Sequence, residues 1–291
     1  MQSTIRKVRR DARTWTIFLA LATTAGAADI FATRAAEQGA GTTTTGTAGV
    51  SATRTAENAK SLLKASSDYM AGQKAFSFDY DTYLEVVTKE NQKLGLASSG
   101  TMTVNRPDKI RATRTGGFAD VEFVFDGKTV TMFGKNANAY TQVEAAGTID
   151  QLVDNLRTKY HRPLPGADLL MSNLYDQLMP EVVDIKDLGS GVINGVECDH
   201  LAFRTKEVDW EIWIAQGSRP HPCRYAVTST QVNRAPQYSI ELRTWTTGAA
   251  LVSDPFTFKV PANAKKVNAG DLRDFDELPS NFVIRKITGG L

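Results

Sequence analysis

The chain has 291 residues, 42% of them hydrophobic and 23% charged, which is long and apolar enough to bury a real core. Its formal net charge of +2 is concentrated at the start, where Arg6, Lys7, Arg9, Arg10 and Arg13 stand beside one acid, Asp11. Without residues 1–27 the balance becomes −2, and the remaining Lys and Arg form no basic stripe, so nucleic acid is excluded as a partner.

The basic start, the uncharged run from Trp15 to Ala28 and the small residues Ala25-Gly26-Ala27 have the three-part layout of a secretory signal, with cleavage after Ala27 or Ala28. The run falls short of the ~20 apolar residues of a membrane span. No cysteine at the junction offers a lipid attachment point, and the Arg9-Arg10 pair is followed by Asp11 and Ala12, which weakens a twin-arginine reading. Residues 1–27 are therefore expected to be a signal peptide. Residues 28–54, which include EQGAGTTTTGTAGVS, are expected to be a flexible linker. A single exported domain over 55–291 follows.

Ala56 to Gly72 carries Leu62, Leu63, Tyr69 and Met70 at helical spacing. Ala75 to Val87 alternates Phe76, Phe78, Tyr80, Leu84 and Val86 with Asp79, Asp81 and Glu85, which predicts a long strand. Strands are expected at Leu96 to Val104, Ile110 to Arg114, Val121 to Phe125, Lys128 to Phe133 and Ala139 to Val143. Arg106-Pro107-Asp108-Lys109 and Asp126-Gly127 are the turns between them. Thr148 caps a helix reaching about Tyr160, Pro163 and Pro165 break it, and Ala167 to Leu178 predicts a second helical piece. Further strands are predicted at Val182 to Leu188, Val192 to Phe203, Val208 to Ala215, Arg224 to Gln231 and Tyr238 to Trp245, with a last one at Phe282 to Ile287.

The clearest stretch is Gly195 to Ile214, a hairpin with Arg204 to Glu207 as its loop. That loop sets Leu201 opposite Trp210 and Phe203 opposite Val208, one face apolar and the other charged. Strands gathered in runs, with no strand–helix alternation, predict an α+β fold: an antiparallel sheet of about ten or more strands that must curl or close, with a few helices gathered on one face.

RPDK at Arg106 to Lys109, FVFDGKTVTMF at Phe123 to Phe133, LPGADLL at Leu164 to Leu170, GVECDHLAFR at Gly195 to Arg204, VDWEIWI at Val208 to Ile214 and APQYSIEL at Ala235 to Leu242 resemble an uncharacterised family of predicted periplasmic bacterial proteins. That family is similar in fold to the LolA-like half-barrel lipoprotein and lipid carriers. The resemblance covers about Ala56 to Val267 and implies an apolar cavity between a curved sheet and its helices.

His161, His200 and His221 lack metal-site spacing, and no nucleophile elbow, phosphate loop or dinucleotide fingerprint occurs. No catalytic residue, metal or cofactor is therefore assigned, and His200, beside Asp199 and across from Asp209, is expected to be structural. Cys198 and Cys223 are an even pair in an oxidising compartment, which favours a disulfide. In a simple meander they would flank a middle strand at ~10 Å, against the ~5.5 Å a disulfide needs, unless a bulge at Pro220 to Pro222 brings them together. Trp213 and Trp245 share parity with charged neighbours and should face away from the apolar side, packed under a loop or the tail or serving as docking anchors.

On the apolar parity, Phe78, Tyr80, Phe123, Phe125, Leu201, Phe203, Trp210, Ile212, Tyr238 and Ile240 are the expected lining of a ligand cavity, together with Phe76, Leu84 and Leu242. The leading functional reading is a monomeric, non-catalytic envelope protein whose partner is a lipid or other apolar ligand. The alternative is an interaction or sensor module with a packed core and an envelope protein partner. A hydrolase built around His200 and Asp209 is the third reading.

Overall fold

A computed structural model of the protein describes residues 45–159, 166–248 and 256–269, with side chains from Thr55 onward. The expected signal peptide, His161 and the strand at Phe282 to Ile287 lie outside these residues. Helix α1 (Thr45–Gly72) begins inside the stretch expected as a tether, ahead of the helix predicted from Ala56.

The strands are β1 (Ala75–Val87), β2 (Lys93–Asn105), β3 (Lys109–Gly116), β4 (Asp120–Phe125), β5 (Thr129–Gly134) and β6 (Ala139–Glu144). After the central helices come β7 (Asp184–Ile193), β8 (Val196–Arg204), β9 (Val208–Ala215), β10 (Pro222–Ser229), β11 (Gln237–Thr247) and the short β12 (Lys265–Lys266). They form one sheet in the order β12-β6-β5-β4-β3-β2-β1-β11-β10-β9-β8-β7. The pairing is antiparallel except between β12 and β6. Two meanders, β1 to β6 and β7 to β11, are thus joined along a single ladder between β1 and β11. The sheet stays open at its outer edges and curves as a half-barrel, with the helices on its concave, apolar face.

β1 has the bounds its alternation predicts, with Phe76, Phe78, Tyr80 and Thr82 buried and the residues between them half-buried. Tyr80 lies across β2, where Gly100 has no side chain to obstruct it. A Cβ there would sit 2.7 Å from the phenol oxygen and 1.9 Å from the Thr113 carbonyl, which accepts the Tyr80 hydroxyl at 2.7 Å. α2 (Ile149–Thr158) starts as predicted with a capping box: Gln151 N–H donates to the Thr148 hydroxyl, and the Gln151 side chain accepts from Thr148 N–H.

Several boundaries differ from expectation, each for a local reason. The predicted helix over Ala167 to Leu178 is two pieces, a 3₁₀ turn at Ala167–Leu170 and α3 (Leu174–Leu178), separated by an extended Met171. β7 runs on through Gly189 to Ile193 with a bulge between Asp187 and Ser190, and the turn falls at Asn194-Gly195. Both turn residues have positive φ, 49° and 80°, the pair that a tight two-residue hairpin requires. In the β8–β9 hairpin Leu201 pairs with Ile212 and Phe203 with Trp210, two residues from the expected register. Because the side-chain period is two, the slip preserves the faces, and the apolar set still points inward.

Candidate functional site: the concave apolar face

The inward residues of both meanders converge on one continuous core. Phe78, Tyr80, Phe125, Leu201, Phe203, Trp210, Ile212 and Ile240 are buried within it, and Phe123 and Tyr238 are half-buried against it. The ten residues singled out from sequence are therefore brought to one face. Phe203 stacks on Trp210 at 4.0 Å, and Tyr225 meets Trp210 at 6.0 Å. At the other end Phe76 and Phe78 stack with Trp245 at 5.1 and 5.9 Å.

Trp245 corrects an expectation, since it faces inward. Between Ser77 and Asp79 the ladder shifts so that Thr244 and Trp245 both oppose Phe78, and Thr244 takes φ 54°. One extra residue in a bulged strand inverts the parity beyond it. Trp245 Nε1 donates to the Tyr69 hydroxyl, and its other face stacks on His221 at 4.9 Å. Burial holds the His221 imidazole below its ordinary value.

A helical roof closes over this face. Leu63 and Met70 of α1, Ile149, Leu152 and Val153 of α2, Leu169 and Leu170 of the 3₁₀ turn, and Leu174 of α3 all belong to the same core, and Leu62 and Leu156 pack against it. Phe76, Phe125, Leu201 and Ile212 are 0% exposed, and helix and sheet side chains belong to the same buried cluster there. Among the described residues this part of the floor is closed to solvent.

The polar attachments of the roof are few. Arg157 reaches Asp168 at 2.6 Å, Ser172 donates from both its backbone and its hydroxyl to Asp150, and Tyr175 N–H donates to the Ser67 hydroxyl at 3.1 Å. Ser66 Oγ and Asn173 Oδ1 are buried there without a hydrogen-bond partner among the described residues. Burial pushes the Asp168 carboxyl above its ordinary range despite the Arg157 guanidinium.

Burial first, and the Asp168 carboxylate second, push the Tyr225 phenol well above its usual value. The folded state then binds this proton more firmly than the unfolded chain does. Its contribution to stability is complete below the free-phenol pKa of ~10 and is lost as pH rises above it. Alkaline unfolding monitored by tyrosinate absorbance and circular dichroism should show this ionisation coinciding with loss of structure. Tyr225→Phe should shift that transition to higher pH; an unchanged midpoint would mean that the phenol is not sealed.

The convex face carries different chemistry. His200 Nε2 bonds Glu211 at 2.8 Å, whereas Asp209 is held by both ends of the Arg204 fork; Asp199, of the opposite parity, accepts from Gln216. The expected approach of Asp209 to His200 is thus replaced by Glu211, two residues along the same face. Trp213 does face outward, as expected, and is sandwiched between His200 at 4.0 Å and Arg224 at 5.0 Å. His200→Ala removes one hydrogen bond and one stacking contact on a half-open surface and should cost about 1 kcal/mol in a urea titration. A loss several times larger would mark His200 as a cornerstone of the fold.

Cys198 and Cys223 form a small second core with Ala215, flanked by Ile193 and Trp213. The register shifts between Pro222 and Arg224, so Cys223 is the extra residue of a bulge and its sulfur comes to 2.7 Å from that of Cys198. Both are free thiols in this structure. The contact between the two sulfurs holds the Cys198 thiol below its ordinary pKa and, with burial, pushes the Cys223 thiol above it.

Residues 59–269 match the family model described as "Predicted periplasmic protein (DUF2092)". The chain belongs to this family. The protein is accordingly periplasmic. No curated protein matches the sequence. Among solved structures, an uncharacterized conserved protein from Thermus thermophilus is similar at 11% identity, over 72% of this chain and 99% of that one, with a TM-score of 0.40. The lipoprotein LppX of Mycobacterium tuberculosis is similar at 13% identity, over 66% and 97% of the two chains, with a TM-score of 0.34. A LolA superfamily protein from Nitrosomonas europaea is similar at 9% identity, over 66% and 94%, with a TM-score of 0.29.

Sequence reasoning missed Trp245, Tyr225 and His221 on the inner face. Tyr225 could have been found from its alternation with Val227, but the bulge that turns Trp245 inward leaves no periodic mark.

Proposed function

We propose that the protein is a non-catalytic periplasmic carrier that takes up a lipid or other long apolar ligand between its sheet and its helical roof. The observation that carries this reading is the mismatch between the two layers. The sheet presents a broad aromatic and aliphatic floor, whereas the roof beyond α1 is α2, a four-residue 3₁₀ turn, the five-residue α3 and another 3₁₀ turn at Met179–Glu181. Helices this short have little stability of their own and depend on the surface they cover. The unpartnered Ser66 and Asn173 oxygens weaken the closed state further, because a buried polar atom without a bond costs about 1–3 kcal/mol. An apolar chain can replace the roof's side chains on the floor with little net loss of buried area.

Native mass spectrometry and organic extraction of protein purified from the envelope fraction test this directly. An extra mass that leaves with solvent is expected, as is saturable uptake of oleyl alcohol by the extracted protein. Arg157→Gln, which frees the 3₁₀ turn from α2, should speed that uptake. Absence of both the extra mass and the uptake would return the molecule to an interaction module with a packed core.

A further inference from the structure

We propose that Arg106, at the turn between β2 and β3, is a head-group site that receives the carboxylate or phosphate of an anionic amphiphile lying on the concave face. The inference deepens the carrier reading and rests on it. Arg106 Nε and Nη2 are sealed from solvent and have no hydrogen-bond acceptor among the described residues. By contrast Arg111, Arg157, Arg204, Arg224 and Arg243 each reach a carboxylate. The carboxylate that acts on Arg106 electrostatically is Asp150, whose two oxygens are already engaged by the backbone and hydroxyl of Ser172. The nearby start of α2 is closed by its own capping box, so its N–H groups are not offered to an anion.

Position adds to this. The guanidinium lies over the Phe76 ring, 5.6 Å from its centre, and Phe76 is fully buried and stacked on Trp245. The charge therefore stands at the end of the apolar floor, where a chain on that floor would place its polar end. The backbone is fixed on both sides: Arg106 N–H donates to the Lys74 carbonyl, and the Pro107 carbonyl accepts from Ile149, both at 2.8 Å. Buried donors without an acceptor are costly, and desolvation already depresses this guanidinium's pKa. The planar fork of arginine suits the two-oxygen edge of a carboxylate or phosphate, and in an apolar surrounding that bond is strengthened.

The test compares oleate with oleyl alcohol, which has the same chain and a neutral head, and with inorganic phosphate, on extracted full-length mature protein and its Arg106→Gln and Arg106→Lys variants. Oleate should bind roughly ten-fold tighter than the alcohol to the native protein, as a charge-assisted bond in a dry site requires. Arg106→Gln should bring oleate down to the level of the alcohol while leaving the alcohol unchanged, and Arg106→Lys should restore part of the preference. Equal binding of oleate and alcohol to the native protein, or a preference that survives Arg106→Gln, overturns the head-group site while the carrier reading stands. Saturable binding of neither ligand sinks both. Phosphate alone displacing oleate as well as a second amphiphile does would make this a free-anion site and overturn the amphiphile. A failure of Arg106→Gln to fold also counts against the proposal, since it would show the guanidinium to be a prop of the native core.

Discussion

Trp210→Ala should lower the free energy of unfolding by about 3–5 kcal/mol, the range for deleting a large aromatic side chain from a packed core. Trp210 is 2% exposed, lies against Phe203 at 4.0 Å with the rings within 10° of parallel, and meets Tyr225 on its other side. For a domain of this size each kcal/mol moves the thermal midpoint by about 2–4 °C, so a fall of roughly 10 °C or more is expected by circular dichroism. Trp210→Phe, which keeps a ring against Phe203, should recover much of it. A loss below about 1 kcal/mol for the alanine variant would mean that the ring borders empty space and that the closed roof does not pack it. The same variant probes function, because the space left by the indole lies on the floor assigned to the ligand. Oleyl alcohol should therefore stabilise Trp210→Ala by more than it stabilises the native protein.

Protein taken from the periplasm should carry a Cys198–Cys223 disulfide, and reducing it should cost about 3 kcal/mol, the entropy of a loop of some 25 residues. The thiols are buried, in contact and hydrogen-bonded, and they belong to strands β8 and β10, which are separated in the sheet by β9. A bond here would tie three strands as one unit, with the small Ala215 beneath it. Forming it removes two electrons and two protons, which pass to a dithiol–disulfide oxidant of the compartment. Intact mass before and after reduction, with and without alkylation, measures the state directly. Two alkylatable thiols in freshly isolated, denatured protein would overturn the expectation.

The parts of the fold legible in sequence were those in which one strand's own alternation decides its place. The alternation alone bounds β1 from Ala75 to Val87, and it places Leu201, Phe203, Trp210 and Ile212 on one face although the register it implies is two residues from the observed pairing. A shift of two leaves parity intact, so the face was secure while the register was not. What could not be read were the bulges. Thr244, Cys223 and the Leu188-Gly189 step each insert residues whose effect depends on the strand opposite, and each changes what a later side chain meets. Trp245 moves inward and the two sulfurs come together for this reason. The candidate site was legible as a set of apolar positions but not as a closed chamber, because the roof is irregular backbone with weak periodicity. Arg106 was invisible as a site, since its distinction lies in lacking a partner, and a partner is a property of the folded molecule.

The ladder between β1 and β11 also sets the order in which this molecule can be finished. A chain folding from its N-terminus completes the first meander early, and that meander must then wait for residues up to Thr247 before its outermost strand is covered. During the wait β1 is a long bare edge of thirteen residues, the kind of edge that recruits a second chain. Its outward side carries Asp79, Asp81 and Glu85, which repel an identical strand laid alongside. When β11 arrives, two of these acids change role: Asp81 takes Arg243 at 2.7 Å, and Glu85 accepts the backbone N–H of Gln237 at 2.9 Å. The charges that guard the unfinished edge become the clasps that hold the two halves shut.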